Sequence, residues 1–203
     1  PKVDKQSVQS IGAIALDPKN ADNIWVGTGE AWTRNSVSIG DGVYRSTDGG
    51  ESWKNVGLPN SERIVKIAVD PRNGEAALVC VTGKLWSGSN DRGVYRTADG
   101  GKTWTQVLKA GNASTGCGGM SLDAKNPDVV YASLWDFRRK GWTFRSGGEG
   151  PDAPSGSGLY RSADGGKTWT EVTGGGLPTK PYGRIAVAVA PSDSKIVYAF
   201  VEG

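Results

Sequence analysis

Twelve residues recur three times in this chain with little change. They run Gly42-Val43-Tyr44-Arg45-Ser46-Thr47-Asp48-Gly49-Gly50-Glu51-Ser52-Trp53, then Gly93 to Trp104 (GVYRTADGGKTW), then Gly158 to Trp169 (GLYRSADGGKTW). A shorter repeat precedes each copy: Ile14-Ala15-Leu16-Asp17-Pro18, Ile67-Ala68-Val69-Asp70-Pro71 and Met120-Ser121-Leu122-Asp123-Ala124. It returns a fourth time as Val187-Ala188-Val189-Ala190-Pro191. Its fourth residues, Asp17, Asp70, Asp123 and Ala190, are spaced by 53, 53 and 67 positions. A period near 50 signals a series of similar units, each too small to bury its own apolar face.

One unit reads as four short strands. In the second unit, strand A spans about Ile64 to Val69 and strand B about Ala77 to Thr82. Strand C spans about Gly93 to Thr97, and strand D about Thr103 to Leu108. Asp70 to Gly74 is a turn by composition, and Asp99-Gly100-Gly101 is an Asp-Gly hairpin turn. No helical stripe of useful length is present. Four antiparallel strands per repeat predict an all-β propeller, with three blades and half of a fourth in this chain. The blades are expected at 11–58, 62–110, 116–178 and 183–203, after an N-terminal extension at 1–10. Three and a half units do not close a ring of about four to eight blades. The rest of the same propeller, or another subunit, is therefore expected to complete it.

The chain has 203 residues, among them 31 Gly, 8 Trp and no His. The glycines fit many tight turns, because positive φ strains other residues. The absence of His removes a Ser-His-Asp triad, a Cys-His dyad and any His-ligated metal from the candidates. No cofactor and no metal site are expected. A net charge of +3 gives no reason to expect nucleic acid. No apolar run approaches the roughly 18 residues of a membrane helix. Two cysteines make no disulfide framework. Cys80 lies in the apolar run Ala77–Val81 and reads as a small buried hydrophobe; a Cys80–Cys117 disulfide is the alternative. Asn112-Ala113-Ser114 matches a glycosylation sequon.

The twelve-residue segment resembles the Asp box, or BNR repeat, with the pattern Ser/Thr-x-Asp-x-Gly-x-Ser/Thr-Trp. The matching residues are Ser46, Asp48, Gly50, Ser52 and Trp53; Thr97, Asp99, Gly101, Thr103 and Trp104; and Ser162, Asp164, Gly166, Thr168 and Trp169. The resemblance extends over about residues 11 to 203. Its physical reading is local. The Asp carboxylate accepts backbone N–H groups across the turn, the glycines supply positive φ, and Trp fills space between sheets. The boxes are thus expected to be structural. One carboxylate per box is too few for a calcium loop.

The boxes are C–D turns, which lie at the same end as the A–B turns. The B–C loops and D-to-A connections lie at the other end, where function is expected. Loop one holds Thr28-Gly29-Glu30-Ala31-Trp32-Thr33-Arg34-Asn35. Loop two is Lys84 to Arg92. Loop three begins at Leu134-Trp135-Asp136-Phe137-Arg138-Arg139-Lys140-Gly141-Trp142-Thr143-Phe144-Arg145 and runs on to Gly156. It accounts for most of the longer third interval, and its stretch from Gly147 to Gly158 is expected to be mobile. Trp32, Trp86, Trp135, Arg138, Arg139 and Trp142 are the candidate ligand contacts, suited to stacking on sugar rings or gripping a peptide. The competing expectation is that Trp32, Trp86 and Trp135 pack on one another as a lid.

The chain looks like part of the long bacterial proteins labelled BNR-repeat or sortilin-like glycosyl hydrolases. Sialidases, xyloglucanase-type enzymes, sortilin and a photosystem-assembly propeller are similar in carrying the same box. The resemblance implies a binding or scaffold propeller that meets a glycan or protein ligand, in an extracytoplasmic setting. The alternative it implies is a glycoside hydrolase, which needs two carboxylates across a cleft. Xyloglucanase-type enzymes place a catalytic Asp just after strand B of the first blade; Glu30 matches that position here. Their partner carboxylate belongs to a second propeller; Asp91 and Asp136 are the substitutes in this chain. The arginine triad and Tyr-Glu pair of a sialidase cannot be assigned.

Overall fold

The computed structural model describes residues 7–148 and 154–203, and those residues contain strands, turns and loops but no helix. The first sheet is β1 (Ile11–Asp17), β2 (Asn20–Thr28), β3 (Val43–Ser46) and β4 (Lys54–Gly57), hydrogen-bonded in that order. The second repeats it with β5 (Ile64–Asp70), β6 (Asn73–Val81), β7 (Gly93–Thr97) and β8 (Thr105–Leu108). The third contains β9 (Thr115–Leu122), β10 (Val130–Lys140), β11 (Thr143–Ser146), β12 (Gly158–Ser162) and β13 (Thr170–Glu171). The last is the pair β14 (Ile185–Val189) and β15 (Val197–Val201). Every pairing is antiparallel. The chain is a propeller of three full blades and half of a fourth, and it is open rather than closed.

Strand alternation builds the core at the seams between sheets. On β6, Ala77, Val79 and Val81 face back toward Trp25, Val43 and Ile64. Leu78 and Cys80, on the opposite face, pack forward on Cys117, Met120 and Val130. The first strand of each sheet touches the first strand of the next, β1 with β5, β5 with β9 and β9 with β14. Gly27 shows how tight a seam is: a Cβ there would lie 2.3 Å from the Cγ2 of Ile64. At the open rims the pattern is unsatisfied. Ile14 and Leu16 are exposed, while their repeat equivalents Ile67 and Val69 are buried. Tyr198 and Phe200 are exposed at the other rim.

The box hairpins are alike. Asp48 Oδ1 accepts the Ser46 hydroxyl at 2.7 Å and the Ser52 N–H at 2.9 Å, and its Oδ2 accepts the Ser52 hydroxyl at 2.5 Å. Asp99 and Asp164 repeat this with Thr97 and Thr103, and with Ser162 and Thr168. Each box also ties to its own A–B turn. Gly49, Gly100 and Gly165 donate N–H to the carbonyls of Asp22, Glu75 and Asp128 at 3.0, 2.9 and 2.9 Å. Trp53 and Trp169 donate their indole N–H within the box. Trp104 instead reaches the Val56 carbonyl of the preceding sheet, at 2.8 Å.

Three expectations change. β6 begins at Asn73, and Asp70 pairs with Asn73 across a two-residue Pro71-Arg72 turn; an Asp70 side-chain bond to the Arg72 N–H lets the strand start early. Leu134 to Arg145 is not a loop. β10 continues to Lys140 and folds onto β11 with Arg138 opposite Arg145 and Lys140 opposite Thr143. Its alternating aromatic residues make strand more favourable than coil. Finally, Cys80 is buried as expected but is no free thiol; it is bonded to Cys117 with Cα atoms 5.2 Å apart, joining β6 to β9 across a seam. Residues 1–6 of the N-terminal extension and 149–153 of the Gly147–Gly158 stretch lie outside the described residues.

Candidate functional site at the B–C loop end

Loop one is fastened at both ends. Gly29 N–H donates to the Ser10 carbonyl at 2.8 Å, and Gly40 N–H to the Glu62 carbonyl at 2.8 Å. Within it, Glu30 accepts the Arg34 Nε at 2.7 Å, pairs with the same guanidinium at 2.6 Å and accepts the Ser38 N–H at 3.3 Å. Glu30 therefore shapes the loop, with its side chain mostly covered.

Loop two is wrapped around one arginine. Arg92 is buried and donates to the carbonyls of Thr82 at 2.8 Å, Ser87 at 3.1 Å and Lys84. Its guanidinium lies 4.7 Å from the centre of the Phe137 ring. Burial, and then the charge of Arg138, lower its pKa to about 10. Five carbon-rich or aromatic groups lie beneath: Leu85, Trp135, Phe137 and Val37 pack together, and Phe144 stacks against them.

Arg139 joins all three loops. It donates to the Thr33 carbonyl at 2.8 Å and to the Asn35 side chain. Its guanidinium stands 6.0 Å from the Trp86 ring and 5.1 Å from the Phe144 ring. Cross-strand alternation sorts the β10–β11 ribbon into two faces. Arg139 and Phe144 are opposite each other on one; Arg138, Lys140, Thr143 and Arg145 share the other, lining a hollow of about 250 Å³.

The candidate tryptophans divide sharply. Trp32, Trp86 and Trp142 are 69, 49 and 94 % exposed, whereas Trp135 is 3 % exposed. A mutual lid of Trp32, Trp86 and Trp135 does not form, because Trp135 points into the core, stacked on Phe137 at 4.5 Å and under the Arg184 guanidinium at 5.2 Å. The expectation that Trp135 faces a ligand is corrected on the same ground: on an even-period strand it takes the inner side.

The three candidate carboxylates sit in different settings. Glu30 is held in loop one. Asp91 accepts the Ser89 hydroxyl at 3.2 Å and lines a cavity between the first two sheets with Tyr95 and Trp104. Asp136 is buried and accepts Asn112 Nδ2 at 2.9 Å, the Gly156 N–H at 3.2 Å and Arg145 at 3.5 Å. Burial alone would raise its pKa, but hydrogen bonds from Ser114, Gly156 and Asn112 outweigh that and lower it. The amide of the Asn112 sequon is thus already engaged with Asp136. Arg92, Arg63 and Asn112 all organise this end and were not singled out as candidate functional residues from sequence. Their partners are backbone carbonyls and residues as far as 45 positions away, Phe137 for Arg92, so no local pattern in the sequence marks them.

The family model described as Sortilin, neurotensin receptor 3 (Sortilin-Vps10) matches residues 41–175. A xyloglucanase from Paenibacillus sp is 28 % identical over 197 residues, which is 84 % of this chain and 17 % of that protein. An oligoxyloglucan-reducing end-specific xyloglucanase from Emericella nidulans is 32 % identical over 149 residues, covering 68 % of this chain and 15 % of that protein. The crystal structure of an ancestral GH74 enzyme is similar with a TM-score of 0.61 at 22 % identity, over 92 % of this chain and 23 % of that one. The chain spans less than a quarter of the length of each of these relatives.

Proposed function

The chain belongs to the Sortilin-Vps10 family, and from that premise we propose that its B–C loop end is a glycan-binding face of a larger propeller. The observation that carries the reading is the set of exposed rings, Trp32, Trp86 and Trp142, on loops tied together from below by Arg139. Aromatic faces held in place lose little freedom on binding and stack well on sugar rings. Similarity to xyloglucanases supports xyloglucan as the ligand. A protein ligand is the competing class for the same surface. The Cys80–Cys117 bond suits an extracytoplasmic setting, because disulfides persist in oxidising compartments.

Affinity electrophoresis of the intact protein in xyloglucan-containing gels tests the reading. Retardation that is lost in Trp32→Ala/Trp86→Ala supports it. Unretarded wild-type protein on a panel of plant polysaccharides, with capture of a protein ligand instead, would sink it.

A hydrolytic reading has two supports: Glu30 lies two residues past the end of β2, the first blade's second strand, and the chain is similar to xyloglucanases. Its second carboxylate is Asp91 or Asp136 in this chain, or a residue of a second propeller. Glu30→Gln tests the hydrolytic reading: it should abolish release of reducing ends under hydrolysis, while under the binding reading no reducing ends are released by either protein.

A further inference from the structure

A second site lies away from the exposed tryptophans, in the cleft between the first two sheets. It is a cavity of about 280 Å³ lined by Leu58, Pro59, Asn60, Ser61, Asp91, Tyr95 and Trp104. That volume suits one side chain or one small molecule. Three polar groups meet there with unused capacity. Ser61 is 2 % exposed, and its hydroxyl has no hydrogen-bond partner among the described residues. Tyr95 accepts Gln106 Nε2 at 3.2 Å, and no acceptor for its own proton occurs among the described residues. Its counterpart in the first sheet, Tyr44, does donate, to Asp41 at 2.8 Å. Asp91 is bonded only to Ser89 and is paired with no cation among the described residues.

The backbone that presents Ser61 is itself unusual. Leu58 and Glu62, neither of them glycine, hold φ of 58° and 51°. Such conformations persist only where the surroundings enforce them, and they cluster at binding sites. Here Ser61 N–H bonds to the Leu58 carbonyl at 3.0 Å, and Arg63, one residue beyond Glu62, is pinned to the Gly83 carbonyl at 3.1 Å.

The chemistry of the wall selects the ligand. The cavity has a carboxylate, two aromatic rings and an aliphatic floor, and none of its lining residues is cationic. A carboxylate beside apolar walls gains most from a cation that joins it there. Trp104 and Tyr95 add cation–π attraction for the same guest. Ser61 Oγ and Asn60 supply acceptors for further N–H groups. Burial, and then the negative charge of Asp91, push the Tyr95 hydroxyl up to about 12, so it stays neutral, and its oxygen keeps a lone pair for a guest N–H beside the bond from Gln106. We propose that the cavity bounded by Ser61, Asp91, Tyr95 and Trp104 is a binding site for an aliphatic ammonium group. The source is either a free alkylamine or a lysine side chain. This site stands apart from the glycan-binding face and does not depend on it.

Calorimetric titration of the intact protein tests the proposal with four probes: n-pentylamine, Nα-acetyl-lysine N-methylamide, its uncharged norleucine counterpart and methyl glucoside. Both amines should saturate, and the norleucine compound should not. Asp91→Asn should weaken amine binding at least about tenfold while xyloglucan retardation and the thermal midpoint stay at wild-type values. Ser61→Ala, the smaller change, should weaken it a few-fold and serves if Asp91→Asn does not fold. Equal affinity for the two amines assigns a free amine; a tighter lysine derivative assigns a protein side chain. The proposal is overturned if the norleucine compound or methyl glucoside binds as well as the amines. It is also overturned if Asp91→Asn binds normally, or if no amine saturates by about 10 mM.

Discussion

The guanidinium of Arg92 lies 4.7 Å over the ring of Phe137, and its N–H groups hold three carbonyls of one loop. A local loop is thereby fixed to a strand of the next blade. Arg92→Ala removes one side chain and leaves several buried carbonyls without donors. Each such loss costs about 1–3 kcal/mol, so the variant should lose roughly 3 kcal/mol or more of unfolding free energy in urea titrations. Arg92→Lys should recover only part of it, since one ammonium cannot span the three acceptors of the fork. Full recovery by lysine would show that charge alone matters at this position.

The exposed and buried tryptophans should behave in opposite ways. Trp32→Ala, Trp86→Ala and Trp142→Ala should leave the thermal midpoint within error and each weaken xyloglucan binding about fivefold, from about 1 kcal/mol per stacked ring. Trp135→Ala empties part of a packed cluster and should cost about 3–5 kcal/mol. Calorimetric melting and affinity electrophoresis on the same four proteins decide it.

Acid should attack the box hairpins first. Hydrogen bonds from Ser52 and Thr103 lower the carboxyls of Asp48 and Asp99 to about 2, and those from Thr168 lower Asp164 further. A carboxyl depressed on folding stabilises the folded state above its unfolded pKa, and that stabilisation fades as pH falls through the folded value. Stability should therefore be level from pH 7 to about 5 and drop between about pH 4 and 2. A protein carrying Asp48→Asn, Asp99→Asn and Asp164→Asn should start less stable at pH 7 and show a shallower drop. An unchanged acid profile in that variant would assign the effect elsewhere.

Cys80 and Cys117 are separated by 37 positions. Closing a loop of that size stabilises by about 2–4 kcal/mol. The Cys80→Ser/Cys117→Ser protein should show that loss in denaturant titrations. Because both cysteines are fully buried, reduction of the native protein should proceed no faster than local opening, which thiol trapping over time would measure.

The propeller was legible because its determinants are local and repeated. Asp48 meets Ser46 and Ser52 within four positions, so the hairpin is written in adjacent letters. The β5 and β6 residues alternate between two seams, as their apolar pattern suggests. What stayed hidden depends on distance along the chain. The overrun of β10 to Lys140 needed the partner strand β11; without it, Trp135 and Arg139 read as neighbours in a loop rather than residues two pleats apart on one ribbon. Cys80 read either as a buried thiol or as bonded to Cys117, and the choice between the two depends on two sheets meeting. Asp91, considered only as an acid, acquires its setting from Leu58 and Trp104, which lie on other elements.

The bond between Cys80 and Cys117 also bears on how the propeller can breathe. Blades in such a ring touch only their neighbours, so sliding or splaying happens seam by seam. The seam between β6 and β9 is riveted, and the second and third blades move as one block. Deformation by a bound polymer or by mechanical pull is directed to the unriveted seams, β1 against β5 and β9 against β14. Loop one borders the first of these seams and is tied across it, to the second blade through Gly40 and Glu62 and to the third through Arg139, so any opening there strains the segment that carries Trp32.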